Sequence, residues 1–220
     1  MDPIILASSS PRRQEILRSL NIPFIVNPAE IDETIPEDIK KENAAEYLAS
    51  RKIDAVAHRL QQEQNPGWIL GADTLILYRG RIYGKPSDQN EAKKFITDLQ
   101  GSTHKVISGI ALFNGKIHDI STRTSINKVT FAPMSEKEID WYVRTAEWHG
   151  AAGGYRIQGL ASCFIEKIEG TESSVMGLPI YELYDILKEQ GYPFFINEVL
   201  SGRLRTVSCS NLLRNLPDRL

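Results

Sequence analysis

Three serines, a proline and two arginines follow a short apolar run in Ile4-Ile5-Leu6-Ala7-Ser8-Ser9-Ser10-Pro11-Arg12-Arg13. Serine hydroxyls, the backbone N–H groups of a helix start and two guanidinium forks brought to one point are a means of holding phosphate. The same residues also read as a capped helix with two solvated arginines. A second signal is Gly71-Ala72-Asp73-Thr74, where a carboxylate interrupts the apolar run from Ile69 to Leu77. Such a group needs a partner, a ligand or a cleft edge, because desolvating it alone is costly. The chain turns near Arg79-Gly80 and returns through Gly84-Lys85-Pro86. A three-residue loop sets Lys85 opposite Asp73, and a two-residue loop sets it opposite Thr74. Either register brings ammonium and carboxylate together, as a structural ion pair or as part of a site.

Three weaker signals accompany these. Lys52 falls four residues after Leu48 and four before Val56, on the helix stripe expected to face the core; it either snorkels to the sheet edge or delivers a cation to a site. Glu30-Ile31-Asp32-Glu33, between Pro28 and Pro36, is an acidic loop. It reads as a solvated surface, or as a source of hard oxygen ligands for magnesium, which needs one or two carboxylates when substrate phosphates supply the rest. Gly153-Gly154-Tyr155-Arg156-Ile157-Gln158-Gly159 allows close backbone approach, and Gln158 both donates and accepts, as a nucleobase edge requires. A glycine-rich turn with Tyr155 in the core fits the same residues.

The elements that must position these groups are legible from periodicity and punctuation. Residues 4–7 suit a buried strand, Ser10 a helix cap and Pro11 the first helical turn, with Ile16, Leu17 and Leu20 on one side. Helices are expected over 41–58 and 87–99, after the capping box Ser135-Glu136-Lys137-Glu138, and through Ile180, Leu183, Tyr184 and Leu187 to a stop at Gly191. Strands are expected over 68–78, 81–83, 106–113, 117–131 and 162–168, with Asn114-Gly115 as a hairpin turn. Hairpins mixed with long helices imply an α/β fold with a mixed sheet flanked by helices.

The 220 residues, 41% hydrophobic and 25% charged, suit a soluble globular chain. A net charge of −2 argues against a general nucleic-acid coat. Cys163 and Cys209 match no metal spacing and read as reduced; with no export signal or long apolar run, a cytoplasmic protein with no membrane partner is expected. The four histidines form no zinc pattern. Pro86 and the glycine spacing exclude a Walker loop, and neither a Gly-x-Gly-x-x-Gly fingerprint nor a nucleophile elbow is present.

Together these residues resemble the Maf family of nucleoside triphosphate pyrophosphatases. The match runs from Ile4 to about Leu187: the serine–arginine turn, Glu33, Lys52, Gly71-Ala72-Asp73-Thr74 and Gly84-Lys85-Pro86. It continues through Leu99-Gln100-Gly101 with His104 and Val106, Tyr155-Arg156-Ile157-Gln158-Gly159 and Val175-Met176-Gly177-Leu178-Pro179. The resemblance implies an elongated sheet in two lobes around a nucleotide-binding cleft, within one domain over 1–200. It implies hydrolysis of dTTP and UTP to monophosphate and pyrophosphate, in a house-cleaning role, with Mg2+ or Mn2+. Asp73 is then the general base, acting with Lys52 and Lys85. Ser8, Ser10, Arg12, Arg13, Thr74 and Gln158 bind substrate, and Glu33 with Asp73 holds the metal. Arg12, Thr74 and Gln158 match the dTTP/UTP branch; the branch acting on 7-methyl-GTP has Trp, Gln and Glu there. The chain departs from the family in reading Gly150-Ala151-Ala152-Gly153 where Asp-Lys-Ala-Gly is common. The resemblance allows a homodimer. A non-catalytic nucleotide-binding regulator of cell division is the competing reading, and the retained Asp73 favours the enzyme. The segment 201–220 carries no readable role.

Overall fold

In the computed structural model, which describes residues 2–60 and 67–194, the chain runs β1 (Ile4–Leu6), α1 (Pro11–Ser19), β2 (Phe24–Val26), α2 (Ala44–Leu60), β3 (Trp68–Tyr78) and β4 (Arg81–Tyr83). It continues through α3 (Gln89–Leu99), β5 (Thr103–Asn114), β6 (Asp119–Phe131), α4 (Glu136–Arg144), β7 (Ile165–Glu169), α5 (Glu172–Met176) and α6 (Ile180–Glu189). Seven strands form one mixed sheet in the order β2-β1-β3-β5-β6-β7, with β4 also on β3. β1 is parallel to both β2 and β3, and the remaining pairs are antiparallel.

β3 and β5 are buried along nearly their whole length, so they read as apolar runs rather than alternating ones. Helices cover both faces. Leu17 of α1 and Leu183, Ile186 and Leu187 of α6 pack on Ile4, Leu6, Leu70 and Leu112. Ala49, Ile53 and Val56 of α2 pack on Ile69 and Ala111. At the far end, α3 and α4 enclose Ile76, Val106 and Val129. α3 presents Ala92, Phe95, Ile96 and Leu99 on one face, and its start is fixed by Asp88, whose carboxylate accepts from Glu91 N–H at 2.9 Å. The capping box predicted at Ser135 and Glu138 is formed.

One feature of the ladder creates the cleft. β5 pairs with β3 from Trp68 to Leu77 and occupies one edge of that strand. The other edge is shared: β1 reaches only Leu70, and β4 begins only at Ile76. Among the described residues, no strand pairs with that edge from Gly71 to Leu75, and Asp73 and Thr74 lie in the gap.

Several local expectations need correction. Ser10 occupies the N-cap position of α1, but its side chain makes no capping bond; its N–H is instead turned to Ser8 Oγ at 3.3 Å. Residues 41–43 form a short 3-10 turn ahead of α2. Residues 160–164 are likewise 3-10, and the last strand starts only at Ile165. Asn114 does open the β5–β6 turn, but over a four-residue loop: its Oδ1 accepts from Lys116 N–H at 3.0 Å, and His118, not Gly115, takes the positive φ. The turn after β3 is the two-residue form, with Arg79 and Gly80 both at positive φ and Tyr78 opposite Arg81. The ladder ends at Tyr83 opposite Ile76, so Lys85 lies past the paired residues and the register sets it opposite neither Asp73 nor Thr74. The segment 201–220 and the end of the 1–200 domain lie outside the described residues.

Candidate active site

Asp73 is positioned by two glycines. Gly71 lies two residues before it on the same face of β3, and Gly109 is its cross-strand partner on β5. A Cβ on Gly71 would lie 2.1 Å from the carbonyl oxygen of Ala49, and one on Gly109 would lie 2.2 Å from the backbone N of Glu46. α2 thus rests directly on the backbone of the sheet. Lys52, one helical turn beyond Ala49, is thereby delivered to Asp73, its Nζ 2.5 Å from Asp73 Oδ1. The same ammonium lies 2.9 Å from Glu33 Oε1. The side chains of Lys52 and Asp73 are each 7% exposed and that of Glu33 is 48%, so the acidic loop closes over a buried ion pair from the solvent side. Burial alone would raise the Glu33 pKa. The hydrogen bond from Lys52 and the charges of Lys52, Lys85 and Arg13 outweigh it and hold the carboxyl below its ordinary value.

The serine–arginine turn faces this cluster across the gap. Arg13 is buried and anchored on three sides, donating from Nη1 to Ser8 Oγ at 2.8 Å, from Nε to Gly177 O at 2.9 Å and from Nη2 to Thr74 Oγ1 at 3.4 Å. Of its five N–H groups, two are left for a ligand. Desolvation lowers its pKa, opposed by Asp73 and Glu33. Arg12 is half-buried and donates to Gly150 O at 3.2 Å. Ser8, Ser10, Lys85 and Gln158 line the same cleft; Lys85 and Gln158 are exposed at its mouth. Lys52, Glu33 and Asp73 thus meet directly, as do Ser8, Arg13 and Thr74. Ser10, Arg12, Lys85 and Gln158 surround them.

The sequence reading gave no role to Arg156. Its Nη2 donates to His149 O at 2.7 Å, its Nε is buried without a partner among the described residues, and it lines the cleft beside Arg12. Arg12 and Arg156 hold the successive carbonyls of Gly150 and His149, which ties that loop to the cleft. Desolvation, then Arg156 and Arg13, lower the Arg12 pKa. Two mutually repelling guanidiniums on one cleft are what an anionic ligand would relieve. The only signal in the sequence was a cation two residues before Gln158.

Tyr155 borders the cleft, but most of its ring belongs to the core. It is buried against Phe131 and His104, and its hydroxyl lies 2.7 Å from His104 Nε2. His104 Nδ1 is buried without a partner among the described residues, and desolvation depresses the pKa from 6.5 to about 4. The unfolded chain therefore takes up this proton first as pH falls. Stability supplied by neutral His104 is complete above about pH 6.5 and is lost toward pH 4, by about 2 kcal/mol at pH 5. Thermal melts should show this fall between pH 6.5 and 5, and His104→Gln, though less stable throughout, should show a flatter profile.

Two carboxylates, Glu33 and Asp73, converge on one cationic point. Among the described residues no group of three or more His, Cys, Asp or Glu could hold a metal ion. A pair of this kind fits a hard divalent cation completed by phosphate oxygens and water rather than a closed protein cage.

The Maf-like protein family matches residues 3–190. A Symbiobacterium thermophilum protein described as dTTP/UTP pyrophosphatase is 42% identical over 196 residues, 89% of this chain and 97% of that protein. One of the same description from Pelotomaculum thermopropionicum is 40% identical over 192 residues, 87% of this chain and 98% of that protein. Among solved structures, the Staphylococcus aureus Ham1 protein aligns over 90% of this chain and 100% of that one, with a TM-score of 0.43 and 12% identity. With a match over nearly all the described residues and relatives of this identity, the chain belongs to the Maf-like protein family.

Proposed function

We propose that the protein hydrolyses dTTP and UTP to the nucleoside monophosphate and pyrophosphate. The observation that carries this is a buried carboxylate, Asp73, held by Lys52 in an open stretch of β3 and faced by the serine–arginine turn. The relatives described as dTTP/UTP pyrophosphatases give the substrate class. Hydrolysis of a phosphoanhydride builds negative charge on phosphate oxygens, so positioned cations do most of the stabilising. Arg12, the free N–H groups of Arg13, Lys85 and Arg156 supply that charge around the cleft, with the hydroxyls of Ser8 and Ser10. Asp73 accepts the proton of the attacking water, and Lys52, bonded to its Oδ1, orients the carboxylate. Thr74 and Gln158 face the base. Mg2+ or Mn2+ held by Glu33 and Asp73 would supply further neutralisation of phosphate charge.

The test is release of pyrophosphate and monophosphate from dTTP, UTP, dCTP, GTP and 7-methyl-GTP with magnesium or manganese. Both products from dTTP and UTP support the proposal. Tight nucleotide binding with no release, or a preference for purines, overturns it. In the same assay Arg156→Gln should raise KM for dTTP about tenfold with a smaller change in kcat, corresponding to one lost charge-assisted bond.

A further inference from the structure

The hydroxyl of Thr74 has no free proton. Ser108, opposite Thr74 on β5 and fully buried, lies with its Oγ 2.7 Å from the carbonyl oxygen of Ser174. A carbonyl oxygen only accepts, so the single hydroxyl proton of Ser108 is committed there. Thr74 Oγ1 is 2.9 Å from Ser108 Oγ, and in that contact Thr74 has to be the donor. Arg13 Nη2 donates to the same Thr74 oxygen at 3.4 Å. Thr74 therefore has only lone pairs to offer a ligand.

The acceptor that sets this direction is itself held. The Ser174 carbonyl also receives Gly177 N–H at 3.0 Å, at the left-handed residue that ends α5. The Ser174 hydroxyl receives Asn127 Nδ2 at 2.6 Å, and Asn127 Oδ1 receives Thr171 N–H at 2.9 Å. That backbone donor fixes which way the Asn127 amide points. Ser108, Ser174 and Asn127 are all buried, away from any exchange with water.

We propose that Ser108 is a specificity-determining positioning residue: by taking the proton of Thr74 it turns Thr74 Oγ1 into an obligate acceptor, which admits a pyrimidine bearing a proton on N3 and rejects one whose N3 is a lone pair. Uracil and thymine are of the first kind and cytosine is of the second. The inference rests on the pyrimidine nucleotide reading above, in which Thr74 faces the base. A site built to accept one hydrogen bond discriminates against a ligand that cannot donate it, because the remaining lone pair of Thr74 Oγ1 and that of the base N3 then face each other unpaired.

The experiment is a double-mutant cycle read as the ratio of kcat/KM for UTP to that for CTP, in the wild type, Ser108→Ala, Thr74→Val and the double variant. Removing Ser108 frees the Thr74 hydroxyl to turn its proton toward N3 of cytosine, so the ratio should fall about tenfold. Thr74→Val should lower the ratio by itself, and Ser108→Ala should add nothing on that background. Ser108→Cys fills the site with a slightly larger, weaker hydrogen-bonding group that weakens both bonds, and should show an intermediate fall if the alanine variant does not fold. An equal rate loss on both substrates, or additive effects in the cycle, would overturn the inference. A wild type that treats UTP and CTP alike would instead refute the underlying reading of the pyrimidine site.

Discussion

Asp73→Asn is expected to release pyrophosphate from dTTP about 10²- to 10⁴-fold more slowly than the wild type, the usual contribution of a general base. Its melting temperature should stay within about 4 °C of the wild type. The two halves of this prediction separate because asparagine keeps Oδ1, the atom that receives Lys52 at 2.5 Å, while Glu33 remains 2.9 Å away as the counter-charge. The ammonium is therefore not stranded, which is the circumstance that makes breaking a buried ion pair so destabilising. What is lost is the ability to accept a proton. Full turnover in a folded Asp73→Asn protein would remove Asp73 from the chemistry, whereas a collapse of stability would mean the pair is chiefly structural.

The second large effect falls on folding. Gly71→Ala places a Cβ 2.1 Å from the Ala49 carbonyl and 3.0 Å from Ile53 Cγ1. The first contact is with helix backbone, which cannot step aside without moving α2. A loss of about 3 kcal/mol is expected, lowering the melting temperature by about 6–12 °C. Any protein that does fold should be slow, because a displacement of α2 by about 1 Å carries Lys52 with it and can cost about 10²-fold in rate. Gly67→Ala is the control: at the start of the same segment, a Cβ there meets nothing within 4 Å. Equal melts for the two variants would show that α2 does not depend on that close approach.

Where periodicity and chemistry agree, the sequence was sufficient. The apolar spacing of Ala92, Phe95, Ile96 and Leu99 gave α3, the Ser135–Glu138 box gave the start of α4, and β3 and β4 have the bounds expected from their residues. The acidic loop, Lys52 and Asp73 were each visible as candidates, yet each also had an ordinary explanation. What decides between them is the meeting at one ammonium, and that depends on α2 sitting on Gly71 and Gly109, a tertiary fact no local pattern contains. Ser10 stands at the predicted N-cap position, but its side chain makes no capping bond. Arg156 and Ser108 stayed silent because one looks like a surface cation and the other like any small residue in a strand; only their neighbours give them a role.

A strand in mid-sheet is rigid because both of its edges are bonded, and for the same reason nothing can approach its backbone. β3 separates the two demands: ten successive residues are registered on β5, while on the opposite side β1 stops at Leu70 and β4 waits until Ile76. Reactive groups can therefore be mounted on the stiffest member of the fold without being sealed inside it. Precision is supplied by one margin of the strand and admission by the other, so a substitution that disturbs access need not loosen the aim of the carboxylate, and adjacent loops are free to vary while the frame that holds the chemistry stays fixed.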